Sequence, residues 1–357
     1  MNTSSMEMSS MSTSPRTLAA NPTLRTFGWL VKREFWEHRG GFLRAPFIIA
    51  IVMALIVILA MVAADATAHR NGVNLSGLNL KAITDKLTPE TADQIGLGLD
   101  AAMFGMCGPI MIGMTFVVFF YLLGALYDDR RDRSVLFFKS LPVSDTATVL
   151  SKVAAATLVA PAIAVVACIA FHLAFLVLIS IYTLLHNAGA LALIWRPTHL
   201  LALWVKLILL IPINALWALP TIGWLLLCSS FVRSKPFLYA VLLPTLVGVV
   251  VGWINLMQQF ALPSTWYWRN IWFRIIAGVW PGSWLASGYG NNALTVSSTG
   301  NDVNIAMGKL DFINAVLSFD RMVGVLMAPE LWVGVAAGAG LIAAAIYFRQ
   351  QRTEAYS

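Results

Sequence analysis

Charged residues are scarce in this 357-residue sequence: Asp, Glu, Lys and Arg make up 11% of it, whereas hydrophobic residues make up 59%. A soluble domain normally carries about 25% charged residues. The scarcity therefore excludes an ordinary soluble domain and predicts an integral membrane protein. The net charge of +7 is compatible with nucleic-acid binding in principle, but no soluble segment presents a basic patch. We expect no nucleic-acid partner and attribute the charge to loops held against anionic lipid.

Cysteine and the motifs of metal or serine chemistry are also sparse. The chain has three cysteines, Cys107, Cys168 and Cys228, all inside or beside apolar runs and none in a CxxC pair. This pattern favours packing residues over disulfides or metal ligands. HExxH and GxSxG are both absent, which makes an intramembrane enzyme the weakest hypothesis. We expect no catalytic residue, no metal ligand and no cofactor bound by the chain itself.

Long apolar runs are abundant. A helix needs about 20 predominantly apolar residues to cross the hydrocarbon layer, where unpaired backbone groups are too costly. Six segments approach or meet this length. They are residues 45–64, 103–127, 146–185, 200–231, 237–256 and 331–348. The sequence therefore predicts an all-α membrane protein with six transmembrane helices, and Pro212 and Pro220 predict a break or kink in the fourth.

The segment before the first apolar run has the pattern of a helix lying on a membrane surface. Residues 1–24 are rich in Ser, Thr and Met and are predicted to be a disordered tail. Residues 25–44 place Phe27, Leu30, Val31 and Phe35 at helical spacing, with charged residues between them. Gly40 and Gly41 are expected to turn the chain into the bilayer. Residues 349–357 form a short polar tail.

Two connections between apolar runs are long. Residues 65–102 are predicted to contain one or two short helices outside the membrane. Residues 257–330 include a run in which five tryptophans and a tyrosine alternate with Arg269 and Arg274. Such amphipathic aromatic residues prefer the headgroup region, so we expect interfacial or re-entrant helices here. A seventh and an eighth span are the alternative, and the two arginines argue against them.

Lysine and arginine are distributed unevenly among the connections. If the N-terminus lies in the cytoplasm, 15 of the 24 basic residues fall on the inner side. The positive-inside rule then places both termini in the cytoplasm. Residues 128–145, between the second and third apolar runs, are cytoplasmic in this arrangement. The small size of the chain favours a bacterial inner membrane.

The stretch at residues 128–145, DDRRDRSVLFFKSLPVSD, combines charged residues with an apolar segment. On a short helix, Val135, Leu136, Phe138 and Leu141 would form an apolar ridge framed by basic residues, and Pro142 would end the helix. Such a ridge suits docking into a groove on a partner protein. The residues alone equally allow the ridge to rest on lipid.

Two phrases in the sequence resemble the membrane subunits of type-2 ABC exporters. They are WLVKREFWEHRGG before the first span and LLGALYDDRRDRSVLFFKSLPVSDTATVLSKV after the second. The resemblance implies six spans, an inner surface helix, and a coupling helix between spans two and three that contacts an ATPase subunit. The coupling contacts it implies are Arg130, Arg131, Arg133, Phe137, Phe138, Lys139 and Leu141 in the loop, and Lys32, Arg33, Glu34 and Glu37 on the surface helix.

The chain contains no GxxxxGK[ST] phosphate-binding loop, so an ATP-driven role requires a separate motor. The resemblance implies two copies of a cytoplasmic ATPase that hold ATP and Mg, and a second permease subunit, either identical or homologous. Such an assembly would export its substrate by alternating access. The alternative is a non-transporting anchor or sensor that uses an ATPase to act on envelope components.

The polar residues best placed to face a substrate path are Thr115, His172, Asn214 and Asn255. Hydrogen bonding within the helix bundle is the alternative role for each of them. A path lined mainly by apolar residues suits amphipathic or hydrophobic molecules, although lipid-facing residues have the same composition. The substrate itself is not specified by this pattern.

Small residues four positions apart occur in two of the apolar runs. The pairs are Gly248 with Gly252 and Gly334 with Gly338. Such pairs allow helix backbones to approach closely, either within one chain or between subunits.

Overall fold

The computed structural model describes residues 22–71, 88–132, 143–186, 191–256, 265–286, 296–299, 302–305 and 319–354. Six helices in these ranges are long and apolar enough to cross a bilayer. They are Gly40–Arg70, Pro89–Arg131, Asp145–Leu185, Leu193–Phe231, Pro236–Ile254 and Pro329–Gln351, called spans 1 to 6 below. The prediction of an all-α, multi-pass membrane protein is confirmed.

Most spans are composed of consecutive helical pieces. Span 1 joins a π-helical turn, Gly40–Arg44, to the α-helix Ala45–Arg70, and span 2 joins Pro89–Met106, Gly108–Ala125 and Tyr127–Arg131. Span 3 joins Asp145–Ala154, a π-helical turn at Ala155–Val159, and Ala160–Leu185. A π-helical turn at Leu191–Trp195 precedes the α-helix Leu200–Phe231 of span 4, and the last two spans lie in the α-helices Pro236–Leu256 and Pro329–Glu354. The double glycine before the first apolar run thus forms a π-helical turn and not a break.

The connection at residues 65–102 is helical at both of its ends. Its first residues extend span 1 to Arg70, and its last residues, from Pro89, are the start of span 2. The start is fixed by a capping box, in which Thr88 Oγ1 accepts from Thr91 N at 3.3 Å and Thr88 N donates to Thr91 Oγ1 at 3.0 Å. The helix Pro89–Met106 lies where a short helix was predicted, although it continues into span 2. That its first turns lie outside the membrane stays a prediction, and residues 72–87 lie outside the described part of the chain.

The helix Leu200–Phe231 is continuous through Pro212 and Pro220. A proline inside a helix removes one backbone donor, but neighbouring helices can tolerate this in a membrane bundle. Of the predicted break or kink in the fourth span, the break does not occur, and the kink stays a prediction.

The region between spans 5 and 6 contains only short elements among its described residues. They are a π-helical turn at Trp268–Trp272, the helices Phe273–Ile276, Ser283–Ala286 and Phe319–Met327, and two antiparallel strands, Val296–Thr299 and Asp302–Ile305. None of these is long enough to cross a bilayer. The described residues thus agree with interfacial or re-entrant helices and contain no seventh span.

Hydrogen bonds hold the re-entrant helices against the bundle. Tyr267 donates its hydroxyl to Pro244 O of span 5 at 2.8 Å, and burial raises the pKa of this hydroxyl, which keeps it protonated. Arg274 Nη1 donates to Glu330 O at 2.6 Å, and its guanidinium carbon lies 4.1 Å from the centre of the Trp217 ring. The tryptophan-rich segment is therefore fastened to spans 4, 5 and 6.

Spans 4 and 6 pack closely against each other at glycine residues. A Cβ atom placed on Gly338 would lie 2.5 Å from the backbone carbon of Leu219, and one on Gly223 would lie 2.7 Å from Gly338 O. Only glycine permits this approach at either position. The Gly334–Gly338 pair therefore serves packing within the chain, because Gly334 also faces Arg274 of the re-entrant segment.

Candidate functional site

One end of the bundle carries four buried charged residues. Glu34, Asp129, Lys152 and Arg349 are 1%, 8%, 2% and 5% exposed, respectively. They come from the N-terminal helix Pro22–Glu37, the last turn of span 2, the first helix of span 3, and the end of span 6. Four segments distant in sequence therefore meet here, and the helices that begin and end the membrane domain lie at the same end of the bundle.

These four buried groups and the half-buried Asp145 form a line of alternating charge, which we call the charge chain: Glu34, Lys152, Asp129, Arg349 and Asp145. Lys152 Nζ lies 3.2 Å from Glu34 Oε1 and 3.4 Å from Asp129 Oδ2. Arg349 continues the chain, with Nη1 3.3 Å from Asp129 Oδ2 and Nε 3.0 Å from Asp145 Oδ1. Each internal member therefore has an oppositely charged neighbour on both sides.

The Glu34 end of the charge chain is oriented by an aromatic cluster. Tyr121 donates its hydroxyl to Glu34 Oε2 at 2.9 Å. The Tyr121 ring is in turn held between His38 and Phe42, with ring centroids 4.6 Å and 5.0 Å away. The N-terminal helix is thus fixed to span 2 by its buried face.

Local sequence explains why Lys152 points inward. The helix Asp145–Ala154 begins at Ser144, whose side chain accepts from Ala147 N at 3.1 Å. From this start, Val149 and Lys152 fall on one side of the helix and are both buried. Burying an ion without a partner is prohibitively costly, so the lysine requires the two carboxylates beside it.

A second set of hydrogen bonds joins the end of span 4 to the last turn of span 2. Ser229 Oγ accepts from both Leu126 N and Tyr127 N at 2.9 Å. Arg130 Nη2 donates to Ser229 O, and also to Val232 O at 3.0 Å. The Arg130 side chain is therefore directed at the C-terminal end of span 4, where helix carbonyls lack intrahelical partners.

The charge chain and this second set enclose the loop that resembles a coupling helix. Asp129 and Arg130 lie at the start of this loop, residues 128–145, and Asp145 is its last residue. The first end of the loop contacts spans 3, 4 and 6 directly and the N-terminal helix through Lys152, and the second end contacts span 6 through Arg349. Both ends of the loop are therefore mechanically connected to most of the bundle.

The predicted coupling residues fall into three groups. Arg131, Lys32 and Glu37 are exposed, and Glu37 Oε2 accepts from Arg33 Nη2 at 3.1 Å. Glu34 is buried in the charge chain and does not present its carboxylate at the surface. Arg130 is half-buried against the end of span 4. The other five predicted residues lie outside the described part of the chain; they are Arg133, Phe137, Phe138, Lys139 and Leu141.

Two of the predicted substrate-path residues line a single recess between spans 2, 3 and 4. Thr115 and Asn214 share this recess with the π-helical turn of span 3 at Ala156 and Thr157. Thr115 donates to Met111 O at 3.0 Å, whereas the buried Asn214 Oδ1 has no hydrogen-bond partner among the described residues. An unpaired acceptor in apolar surroundings favours a ligand or a water that donates a hydrogen bond.

The other two predicted path residues lie elsewhere. His172 is fully buried, its Nε2 lies 3.0 Å from both Cys107 Sγ and Met103 O, and its Nδ1 accepts from Trp204 Nε1 at 3.3 Å. His172 therefore serves hydrogen bonding within the bundle. Asn255 belongs to the last turn of the helix Pro236–Leu256, and its side chain lies outside the described part of the structure.

The sequence prediction missed most of the charge chain. Asp129, Asp145, Lys152 and Arg349 were not among the predicted site residues. One signal was present, because Glu34 falls in the middle of the apolar face of the N-terminal helix. An acid at such a position needs a buried cation as a partner.

Metal chemistry finds no support at this site. Within the ranges that the structure describes, no three His, Cys, Asp or Glu side chains are grouped so that they could hold a metal ion.

Comparison of the chain with protein-family models, with curated proteins and with solved structures finds no match.

Proposed function

We propose that this chain is the permease subunit of an ATP-driven exporter of the ABC type, coupled to a separate cytoplasmic ATPase. The observation that carries the proposal is the buried charge chain around residues 128–145. It connects both ends of the loop that resembles a coupling helix to the rest of the bundle. The lack of a phosphate-binding loop in the chain supports a motor on a second protein.

The proposed assembly contains two copies of the ATPase, which bind ATP and Mg, and two permease subunits. It lies in a bacterial inner membrane with both termini in the cytoplasm, as the distribution of basic residues favours. Closure of the ATPase pair on ATP would displace the loop. Asp129 and Asp145 would then move together because Arg349 bridges them, and span 6 would follow. Such rigid transmission suits alternating access.

The contact surface for the ATPase includes Arg131 and the loop that follows it. Arg33 and Glu37 form an exposed ion pair at the side of the N-terminal helix and offer a second contact. Glu34 is assigned an internal role, because its carboxylate holds Lys152. Arg130 is likewise assigned to the attachment of span 4.

The proposed substrate is an amphipathic or hydrophobic molecule. The recess at Thr115 and Asn214 is lined mainly by apolar side chains and offers one unpaired amide oxygen. This composition favours a molecule with an apolar body and a hydrogen-bond donor. Thr115 lies in span 2, which carries Asp129 of the charge chain, and Asn214 lies in span 4, which hydrogen bonds of Arg130 join to the end of span 2, so movement of the loop would reach the recess.

Co-expression with an ATPase encoded beside this gene tests the proposal. We expect the two proteins to co-purify and to hydrolyse ATP faster when substrate is present. Charge reversal by Arg131→Glu together with Lys139→Glu should abolish this coupling. The matched control, Arg233→Glu with Lys235→Glu, changes two exposed residues of the turn between spans 4 and 5 and should retain it. Failure to co-purify would overturn the proposal, and coupling without transport into vesicles would favour the non-transporting alternative.

A further inference from the structure

The N-terminal helix presents a second charged surface that faces away from the bundle. Its buried side carries Glu34, and the opposite side carries an alternating row of basic residues and tryptophans. This row, called the Arg–Trp stripe, consists of Arg25, Trp29, Lys32, Trp36 and Arg39. The successive spacings of four, three, four and three residues place all five side chains on one helix face. Arg39 follows the helix and keeps helical backbone angles.

The stripe is exposed and carries positive charge alone. Trp29 and Trp36 are 58% and 53% exposed, which is unusual for two large aromatic rings on one face. Lys32 Nζ lies 4.8 Å from the centre of the Trp29 ring, and Arg39 Cζ lies 5.9 Å from that of Trp36. These contacts arrange cations and rings in one continuous surface.

The acidic residues of the helix do not neutralise the stripe. Glu34 is buried against Lys152, and Glu37 pairs with Arg33 at the side of the helix. Arg25, Lys32 and Arg39 therefore have no acidic partner on this helix and are available to bind a negatively charged group outside the protein.

The position of the helix indicates which negatively charged group the stripe binds. The π-helical turn Gly40–Arg44 joins it directly to span 1, and Glu34 fastens its other face to the end of the bundle. The stripe is therefore held at the depth where the apolar spans end and the lipid headgroups begin. Tryptophan is enriched at this depth, and basic residues there attract anionic lipids.

We propose that the Arg–Trp stripe is a binding surface for anionic phospholipid headgroups of the bilayer. The tryptophan rings lie at the boundary of the acyl chains, and Arg25, Lys32 and Arg39 hold the headgroup phosphates. In this proposal Lys32 binds lipid. The sequence resemblance had instead implied that Lys32 contacts the ATPase. The proposal requires only that the first span crosses a bilayer, and it does not depend on an ATPase partner.

Photo-crosslinking of the full-length protein tests the proposal. The photoreactive residue p-benzoylphenylalanine replaces Trp36, and the protein is reconstituted in nanodiscs containing equal amounts of phosphatidylglycerol and phosphatidylcholine. We expect the crosslink yield to favour phosphatidylglycerol about fivefold or more at low salt, since each cation near an anionic surface contributes about fivefold in affinity. The preference should fall towards equality at about 0.5 M salt, because the charges are exposed and screened.

Two matched variants locate the effect. Lys32→Gln with Arg39→Gln removes two of the three cations of the stripe and should lower the preference for phosphatidylglycerol severalfold, to the part that Arg25 contributes. Arg233→Gln with Lys235→Gln removes two exposed cations elsewhere and should leave the preference unchanged. If the first variant fails to fold, the salt dependence of the probe-bearing protein with all its cations present provides the same test.

Three results would overturn the proposal. The first is equal crosslinking to the two lipids in the protein that retains all its stripe cations. The second is crosslinking of position 36 to a co-expressed ATPase, which would make this face a protein interface. The third is loss of the preference on addition of millimolar inorganic phosphate at constant ionic strength, which would indicate a site for a free anion. Since ATPase co-purification is measured separately, failure here is distinguishable from failure of the proposed function.

Discussion

Removal of the Glu34 charge should destabilise the protein far more than removal of the Glu37 charge, three residues away on the same helix. Glu34 is 1% exposed and bonded to Lys152 and Tyr121, whereas Glu37 is exposed and paired only along the helix with Arg33. At 3.2 Å and an effective dielectric constant of about 20, the attraction between Glu34 and Lys152 is about 5 kcal/mol.

The net effect of Glu34→Gln is smaller than this attraction, because the substitution also relieves the desolvation of the carboxylate. Removing one partner of a buried ion pair typically costs about 3–5 kcal/mol. We expect Glu34→Gln to cost about 3 kcal/mol and to lower the thermal midpoint by about 5 °C in a chain of this size. Glu37→Gln should cost about 0.5 kcal/mol or less, as is usual for exposed helix pairs.

Thermal unfolding in nanodiscs, followed by intrinsic fluorescence, measures both variants. A double-mutant cycle with Lys152→Met then isolates the pair, and we expect a coupling energy of about 1–3 kcal/mol. The reasoning would be refuted if Glu34→Gln and Glu37→Gln were equally stable. A coupling energy near zero would also contradict it, because the two charges would then not stabilise each other.

Two further predictions concern the packing of the bundle. Gly338→Ala should destabilise the protein by about 2 kcal/mol or more, because the new Cβ would overlap the backbone of Leu219, whereas Gly340→Ala, with open space around it, should change the thermal midpoint little. Ser229→Ala should cost about 1–3 kcal/mol in the same assay, because two backbone N–H groups lose their acceptor. The exposed Ser234→Ala is its control, and equal midpoints within either pair would refute the corresponding contact.

The six spans could be predicted from the sequence because a bilayer leaves the backbone few choices. Any segment that crosses it must form a helix with its own hydrogen bonds, so apolar length alone locates the spans. Span ends were less accurate, since hydropathy does not detect helices that continue beyond the apolar layer. The start of span 2 at Pro89 depends on the capping box of Thr88 and Thr91, which contains no apolar signal.

The charge chain could not be predicted in the same way because its partners are far apart in sequence. Lys152 and Glu34 are separated by 118 positions, and Arg349 and Asp129 by 220. Counting the charged residues on each side of the membrane treats all of these residues as exposed. In the folded bundle they are instead packed against one another. Only the helical periodicity around Glu34 indicated that one of them points inward.

The central claim is that an ATPase binds the loop at residues 128–145. A site-specific crosslink tests this claim most directly. The photoreactive residue p-benzoylphenylalanine replaces Phe138, and the protein is irradiated in membranes that also contain the co-expressed ATPase. The proposed function predicts a crosslinked product of the two proteins whose yield changes when ATP is added. Crosslinks to lipid alone, or labelling of position 138 by an impermeant reagent from outside the cell, would contradict it.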